Sequence, residues 1–171
     1  MSKDDLDKAL SLIRENLDRG TFKGPPSADL LRAAEDALGF SLPRFYRQFV
    51  VEFGAGGVGS EEIYGLTTSN FTQATVPNAI WLTLRKRGNP GLPLPNSMII
   101  IGEDGYGGYY VLDTAKAGTD GEPPVEMWEP WHTGKVDTLE LVAPDFGMWL
   151  LDAVRFGLRD NDDEWEEANA E

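Results

Sequence analysis

Between Met98 and Trp128 the chain passes through three short apolar stretches, MIII, YYVLD and PVEMW, joined by the glycine-rich connections GEDGYGG and AGTDGEPP. Stretches rich in β-branched and aromatic residues, interrupted at hairpin spacing by Gly, Asp and Pro, read as successive antiparallel strands. This block constrains the fold most, because the sequence on either side of it is dominated by helical periodicity. SKDDLDKALSLIRENLDRG places Leu6, Leu10, Ile13 and Leu17 at helical spacing, with Ser2 and Asp5 as a capping box and Gly20 as a stop. GTFKGPP then reads as a linker. SADLLRAAEDALG predicts a second helix, capped by Ser27 and ended by Gly39. LPRFYRQFVVEFG predicts a third, with Pro43 in its first turn and Tyr46, Phe49, Val50 and Phe53 along one face.

After the glycine turn GAGGVGS, EEIYGL reads as a short strand. VPNAIWLTLRKRG predicts a helix opened by Pro77 and closed by Gly88, with a strand through WLTLRKR as the alternative. VDTLELV carries a weaker strand signal, and DFGMWLLDAVRFGL predicts a final amphipathic helix capped by Asp145. This order predicts an α+β fold: a largely antiparallel sheet of about four to six strands, with N-terminal helices and a C-terminal helix packed on it. The expected organisation is one domain over residues 1–158, of which 1–26 form an N-terminal helix and linker, followed by an acidic tail over 159–171.

A hydrophobic fraction of 41%, including 5 Trp, 5 Tyr and 8 Phe, supports a real core. Without cysteine there are no disulfides and no thiolate metal sites. No basic-then-apolar leader opens the chain, and no apolar run approaches the ~20 residues that span a bilayer. The expectation is a soluble, cytoplasmic protein. Its charge is uneven. Residues 1–90 hold 11 Lys/Arg and 11 Asp/Glu, whereas residues 91–171 hold 4 and 18, which accounts for the whole net charge of −14. Such a field repels nucleic-acid backbones and anionic membranes and steers basic partners.

The motifs that could carry chemistry fall short. GAGGVG, Gly54 to Gly59, matches G-x-G-x-x-G, but a helix precedes it and a strand follows, the reverse of the dinucleotide context. Glycines closing a helix and forming a turn explain it better. GEDGYGG lacks the Lys-Ser/Thr of a phosphate loop, and its two acids would repel phosphate. Asp160, Asp162, Glu164 and Glu171 fall on calcium-loop positions, yet Trp165 stands where the turn demands glycine. His132 is the single histidine, and no serine sits in a nucleophile elbow. Glu61 and Glu62 are adjacent on a strand and would point to opposite faces rather than converge. The expectation is a non-catalytic protein with no metal and no cofactor. The one basic cluster, Arg85-Lys86-Arg87, reads as a solvated helix end or as an intramolecular partner for acidic loops.

Several stretches taken in order resemble the SUKH superfamily, the SMI/KNR-type domains. AEDALGFSLPRFYRQFVVEFGAGG is similar to its opening E-x-x-L-G-x-x-L-P-x-x-Y-x-x-F signature, here from Glu35 to Gly57. EEIYGL is similar to its short strand ending Tyr-Gly-Leu. LPNSMIIIGEDGYGGYYVLDT resembles its strand–loop–strand core, DGEPPVEMWEP its Asp-Gly-Glu-x-Pro-Val strand, and Phe146 to Leu150 its terminal Phe-x-x-Trp-Leu helix. The match runs from about residue 27 to 158, with GAGGVG and the acidic tail as departures that bear on partner choice rather than on the fold.

In bacteria the resemblance implies an immunity protein that binds and neutralises the toxin domain of its own locus. In fungi it implies a regulator or scaffold of cell-wall assembly. Neither role is catalytic. The expected partner is a cognate toxin with a basic surface, met by an acidic, aromatic-bearing face. The candidate contacts are Glu61, Glu62, Glu103, Asp104, Tyr106, Asp120, Glu122, Trp128, Glu129 and Trp131. If Val125 and Met127 face the core, alternation sets Glu126 and Trp128 on the opposite face. Neutralising Glu103 and Asp104 together is expected to slow association with little effect on folding.

Overall fold

The computed structural model of the chain describes residues 2–131 and 139–159. His132 and the acidic stretch from residue 160 onward lie outside the described residues. Among the described residues, five α-helices and two antiparallel sheets make an α+β fold, with the helices packed on the sheets. Helices α1 (Ser2–Glu15), α2 (Ala28–Leu38) and α3 (Arg44–Phe53) come first. The three-stranded sheet, in order β1-β2-β3, is made from β1 (Gly20–Phe22), β2 (Gly56–Val58) and β3 (Glu61–Ile63). Helix α4 (Ala79–Arg87) leads into the four-stranded sheet β4 (Met98–Glu103), β5 (Tyr109–Asp113), β6 (Val125–Trp128) and β7 (Glu140–Ala143). Helix α5 (Phe146–Gly157) closes the described chain.

Two caps stand where the sequence placed them, at Ser27 and Asp145, whereas α4 is capped by Asn78 rather than opened by Pro77. Ser27 Oγ accepts the Leu30 amide at 3.1 Å, Asn78 Oδ1 accepts that of Trp81 at 2.9 Å, and Asp145 Oδ1 accepts that of Met148 at 3.1 Å. Tyr46, Phe49, Val50 and Phe53 are all buried, and Tyr46 and Phe49 meet Phe146 of α5 ring to ring. Leu6, Ala9, Leu10 and Ile13 bury the inner face of α1, which packs mainly on α5.

Two short strands occupy segments that read as linker and turn. Gly20 does not end α1; it opens β1, after a 3-10 turn over Leu17–Arg19. GAGGVG supplies β2, so this departure from the family pattern belongs to the fold itself. Its glycines are needed for close approach: a Cβ on Gly57 would stand 1.7 Å from the Glu61 carbonyl oxygen. Likewise Gly59 and Gly157 meet main chain to main chain, a Cβ on Gly157 falling 2.1 Å from the Val58 oxygen. Bulkier residues at these points would part α5 from the β2–β3 turn.

The free edge of β4 is closed by polar groups from elsewhere in the chain. Buried Thr83 of α4 accepts the Ile100 amide through Oγ1 at 3.0 Å, and the Tyr64 amide donates to the Ile101 oxygen at 2.8 Å. The basic cluster of α4 is absorbed by rings and carbonyls rather than by acidic loops. Arg85 lies over Trp81, Lys86 over Tyr109 and Arg87 over Phe40. The Arg87 guanidinium also donates to the carbonyls of Leu38 at 2.8 Å and Asn96 at 2.9 Å, tying α2 to the segment that enters β4.

Candidate protein-docking surface

The loop GEDGYGG forms the β4–β5 hairpin turn. Asp104 Oδ1 accepts the amides of Tyr106 at 2.8 Å and Gly108 at 2.9 Å, while the Asp104 amide donates to the Gly108 oxygen at 3.0 Å. Gly105 and Gly107 adopt φ of +80° and +93°, a region that disfavours any side chain. The turn therefore leaves Tyr106 90% exposed. Asp104 thus organises this turn through one carboxylate oxygen as well as adding surface charge.

Next to the hairpin lies a cleft of about 920 Å³, walled by β3, the β4–β5 turn, the end of β7 and the outer face of α5. It gathers half of the predicted contact residues: Glu61, Glu62, Glu103, Asp104 and Tyr106. Adjacent Glu61 and Glu62 both line it, although strand alternation predicted divergence. Asp152 of α5 adds a fifth carboxylate, against the two guanidinium groups of Arg155 and Arg159. Tyr64, Tyr110, Trp149 and Phe156 supply aromatic walls, with Tyr110 and Trp149 in ring contact at 5.4 Å.

The carboxylates and phenols of this cleft influence one another. Burial pushes the Glu61 carboxyl above the usual carboxylate range, opposed by a hydrogen bond with Ser60. Burial, and then the charge of Glu103, pushes Glu62 the same way. The Tyr64 phenol is raised by burial and then by Glu103, and that of Tyr110 by burial and then by Asp104 and Glu61. All four shifts reflect partial desolvation, and three of them a negative local potential. Such a place favours an incoming cation. Among the described residues no group of three or more His, Asp or Glu is disposed to hold a metal ion.

The other predicted contacts are placed differently. Glu122 is buried, 3% exposed, and is a helix cap: its carboxylate accepts the Phe45 amide at 3.3 Å and Arg44 Nε at 3.2 Å at the start of α3. Pro43 stands at that N-cap and makes no side-chain cap bond, so Glu122 supplies the missing acceptor from across the sheet. Asp120 is exposed and accepts the Glu122 amide at 3.0 Å, ordering the turn that delivers the cap. Trp128 is buried against Tyr109. Its expected position on an outer face fails because both faces of β6 are covered: Glu126 is also buried, bonded to Lys116 Nζ at 2.9 Å. Glu129 is half-buried, while Trp131 is exposed and lies over Gly107, beside the hairpin tip.

Sequence reasoning missed Asp152, Arg155 and Phe156. A signal existed in α5: Met148 and Phe156 are apolar residues on its solvent side.

The fold is thus an α+β frame with an acid-walled cleft between β3, the β4–β5 turn and α5. The family model described as SMI1-KNR4 cell-wall (SUKH_5) matches residues 7–155, and the chain belongs to this family of the SUKH superfamily. Its members are generally non-catalytic immunity or regulatory proteins. No described helix is long and apolar enough to cross a membrane.

Proposed function

We propose that residues 1–158 act as one non-catalytic binding domain, and that the protein is an immunity protein which binds and neutralises a cognate toxin in the cytoplasm. The observation that carries this reading is the convergence of Glu61, Glu62, Glu103, Asp104 and Tyr106 on one cleft of a SUKH-family fold. Five carboxylates against two guanidinium groups make a surface suited to a basic partner, such as a toxin with a cationic substrate groove. The exposed Tyr106 ring, with Trp131 near the same hairpin, offers aromatic anchors beside the charge.

The test is co-expression with any toxin domain found encoded beside the gene. Restored growth together with a co-purifying complex supports the proposal, and failure of both refutes it. The cell-wall description of the matched family favours a second reading, a regulatory scaffold for other proteins. That reading predicts several stable partners from the host cell and no protection against toxin.

A further inference from the structure

We infer that the outer edge of β7 pairs with a short extended strand of the partner protein, which joins the four-stranded sheet and runs along the rim of the acidic cleft. The inference rests on the protein-binding reading and specifies how the partner's backbone is held. The two ends of this sheet differ. At β4, Thr83 accepts the Ile100 amide and the Tyr64 amide donates to the Ile101 oxygen. At the other end β7 pairs with β6, and its outer side forms no hydrogen bond among the described residues. Glu140, Leu141 and Val142 stand exposed in a row there, Leu141 at 62% and Val142 at 39%. Sheet edges left open are ordinarily guarded by lysine or a covering segment. β7 has no lysine and offers two apolar side chains instead.

A bulge ties this edge to the cleft. Val125 faces Ala143 and Glu126 faces Leu141, so Val142 has no partner across the ladder. Val142 and Ala143 both line the cleft, although neighbours on a regular strand alternate between faces. A strand laid beside β7 sets every second side chain over the cleft and the others away from it. Charge decides which strand fits. A second copy of this chain would bring a net charge of −14 against −14 and place Glu140 beside an edge of its own sign. On the cleft side, Glu61, Glu62, Glu103, Asp104 and Asp152 outnumber the two guanidinium groups. The occupant is therefore a basic strand of another protein, with apolar residues alternating with its cations. The four residues of β7 limit the pairing to a short run, so side chains over the cleft supply the rest of the contact.

The experiment titrates the purified protein with two fluorescent peptides of equal charge, Lys-Val-Lys-Val-Lys-Val-Lys and Lys-Pro-Lys-Pro-Lys-Pro-Lys, read by anisotropy. Proline cannot donate to a ladder, so the valine peptide is expected to bind about tenfold more tightly, the worth of about two net hydrogen bonds. Hydrogen exchange at residues 140–143 is expected to slow severalfold when the valine peptide is bound, while α2 exchanges as before. Leu141→Lys, which places a cation on the edge, is expected to weaken the valine peptide about tenfold at an unchanged melting temperature. Asp29→Asn, the same change in net charge on α2, is expected to leave it undiminished. Equal affinity for the two peptides, unaltered exchange in β7, or equal effects of the two variants would overturn the inference. Toxin binding separates the two proposals. A cognate toxin that binds Leu141→Lys undiminished and leaves β7 exchange unaltered refutes the strand pairing and leaves the immunity role standing. Strand pairing with the valine peptide, without protection from toxin, does the reverse.

Discussion

Replacing Glu122 tests how a carboxylate from the β5–β6 connection starts helix α3. Two bonds are at stake, from the Phe45 amide at 3.3 Å and from Arg44 Nε at 3.2 Å. The Arg44 side chain is 66% exposed, so that ion pair adds little, on the order of 0–1 kcal/mol. Leaving the buried Phe45 amide without an acceptor costs about 1–3 kcal/mol, and loss of a negative charge at the helix start adds about 0.3–1 kcal/mol. Relief of the burial penalty on the carboxylate offsets part of this. Glu122→Ala is therefore expected to cost about 1–3 kcal/mol, whereas Glu122→Gln keeps an acceptor of the same shape and stays within about 1 kcal/mol of the parent.

The pH dependence provides a further check. Burial is the main cause raising the Glu122 carboxyl, against the bonds from Phe45 and Arg44, with Asp120 adding to the rise. A folded state that holds this proton more tightly than the unfolded chain has its contribution intact below the unfolded value. The contribution fades as pH climbs through the folded value. Glutamine does not titrate, so Glu122→Gln should gain on the parent protein between pH 5 and pH 7.5. Urea unfolding followed by tryptophan fluorescence at both pH values measures this directly. An alanine variant as stable as the parent at pH 7.5, or a parent that gains on Glu122→Gln as pH rises, would refute the reasoning.

Gly157→Ala is expected to cost about 3 kcal/mol or more, because the new Cβ meets the Val58 carbonyl at 2.1 Å, and thermal unfolding reads the loss. Thr83→Val preserves shape but strips the Ile100 amide of its acceptor, for an expected loss of about 1–3 kcal/mol in denaturant titrations. Tyr64→Phe should leave the folded state within about 1 kcal/mol of the parent, since the buried hydroxyl has no well-formed hydrogen bond and only the Glu103 carboxylate beside it; a large fall in melting temperature would contradict this. For partner association, Glu62→Gln/Glu103→Gln should slow the on-rate and flatten its dependence on ionic strength, as stopped-flow mixing would show.

How far the fold could be read in advance depended on local signals. Ser27 and Asp145 sit at helix starts whose periodic faces are long enough to be unambiguous, the shorter α4 left a strand open as an alternative, and MIII, YYVLD and PVEMW are bounded by turn residues. Strands β1 and β2 gave no such pattern. Each has three residues, and β2 contains two glycines, chosen for close backbone approach rather than for a pleated surface. Strand alternation also misled on β6, since covering both faces hides Glu126 and Trp128 alike. At the docking surface, the hairpin acids were visible as a short acidic motif. The part played by Asp152 and Phe156 was not, because only the packing of α5 beside β3 brings them to the same opening. Glu122 looked like a loop charge because its partner amide is 77 residues away along the chain.

The main-chain contact between Gly59 and Gly157 joins opposite banks of the cleft beneath the level of any side chain. The groups that would meet a partner, Glu62, Tyr106 and Asp152, are exposed and carry none of that join. They can be exchanged singly without loosening the frame. A duplicated gene could thus acquire a new recognition surface by a series of small steps, each copy remaining folded throughout.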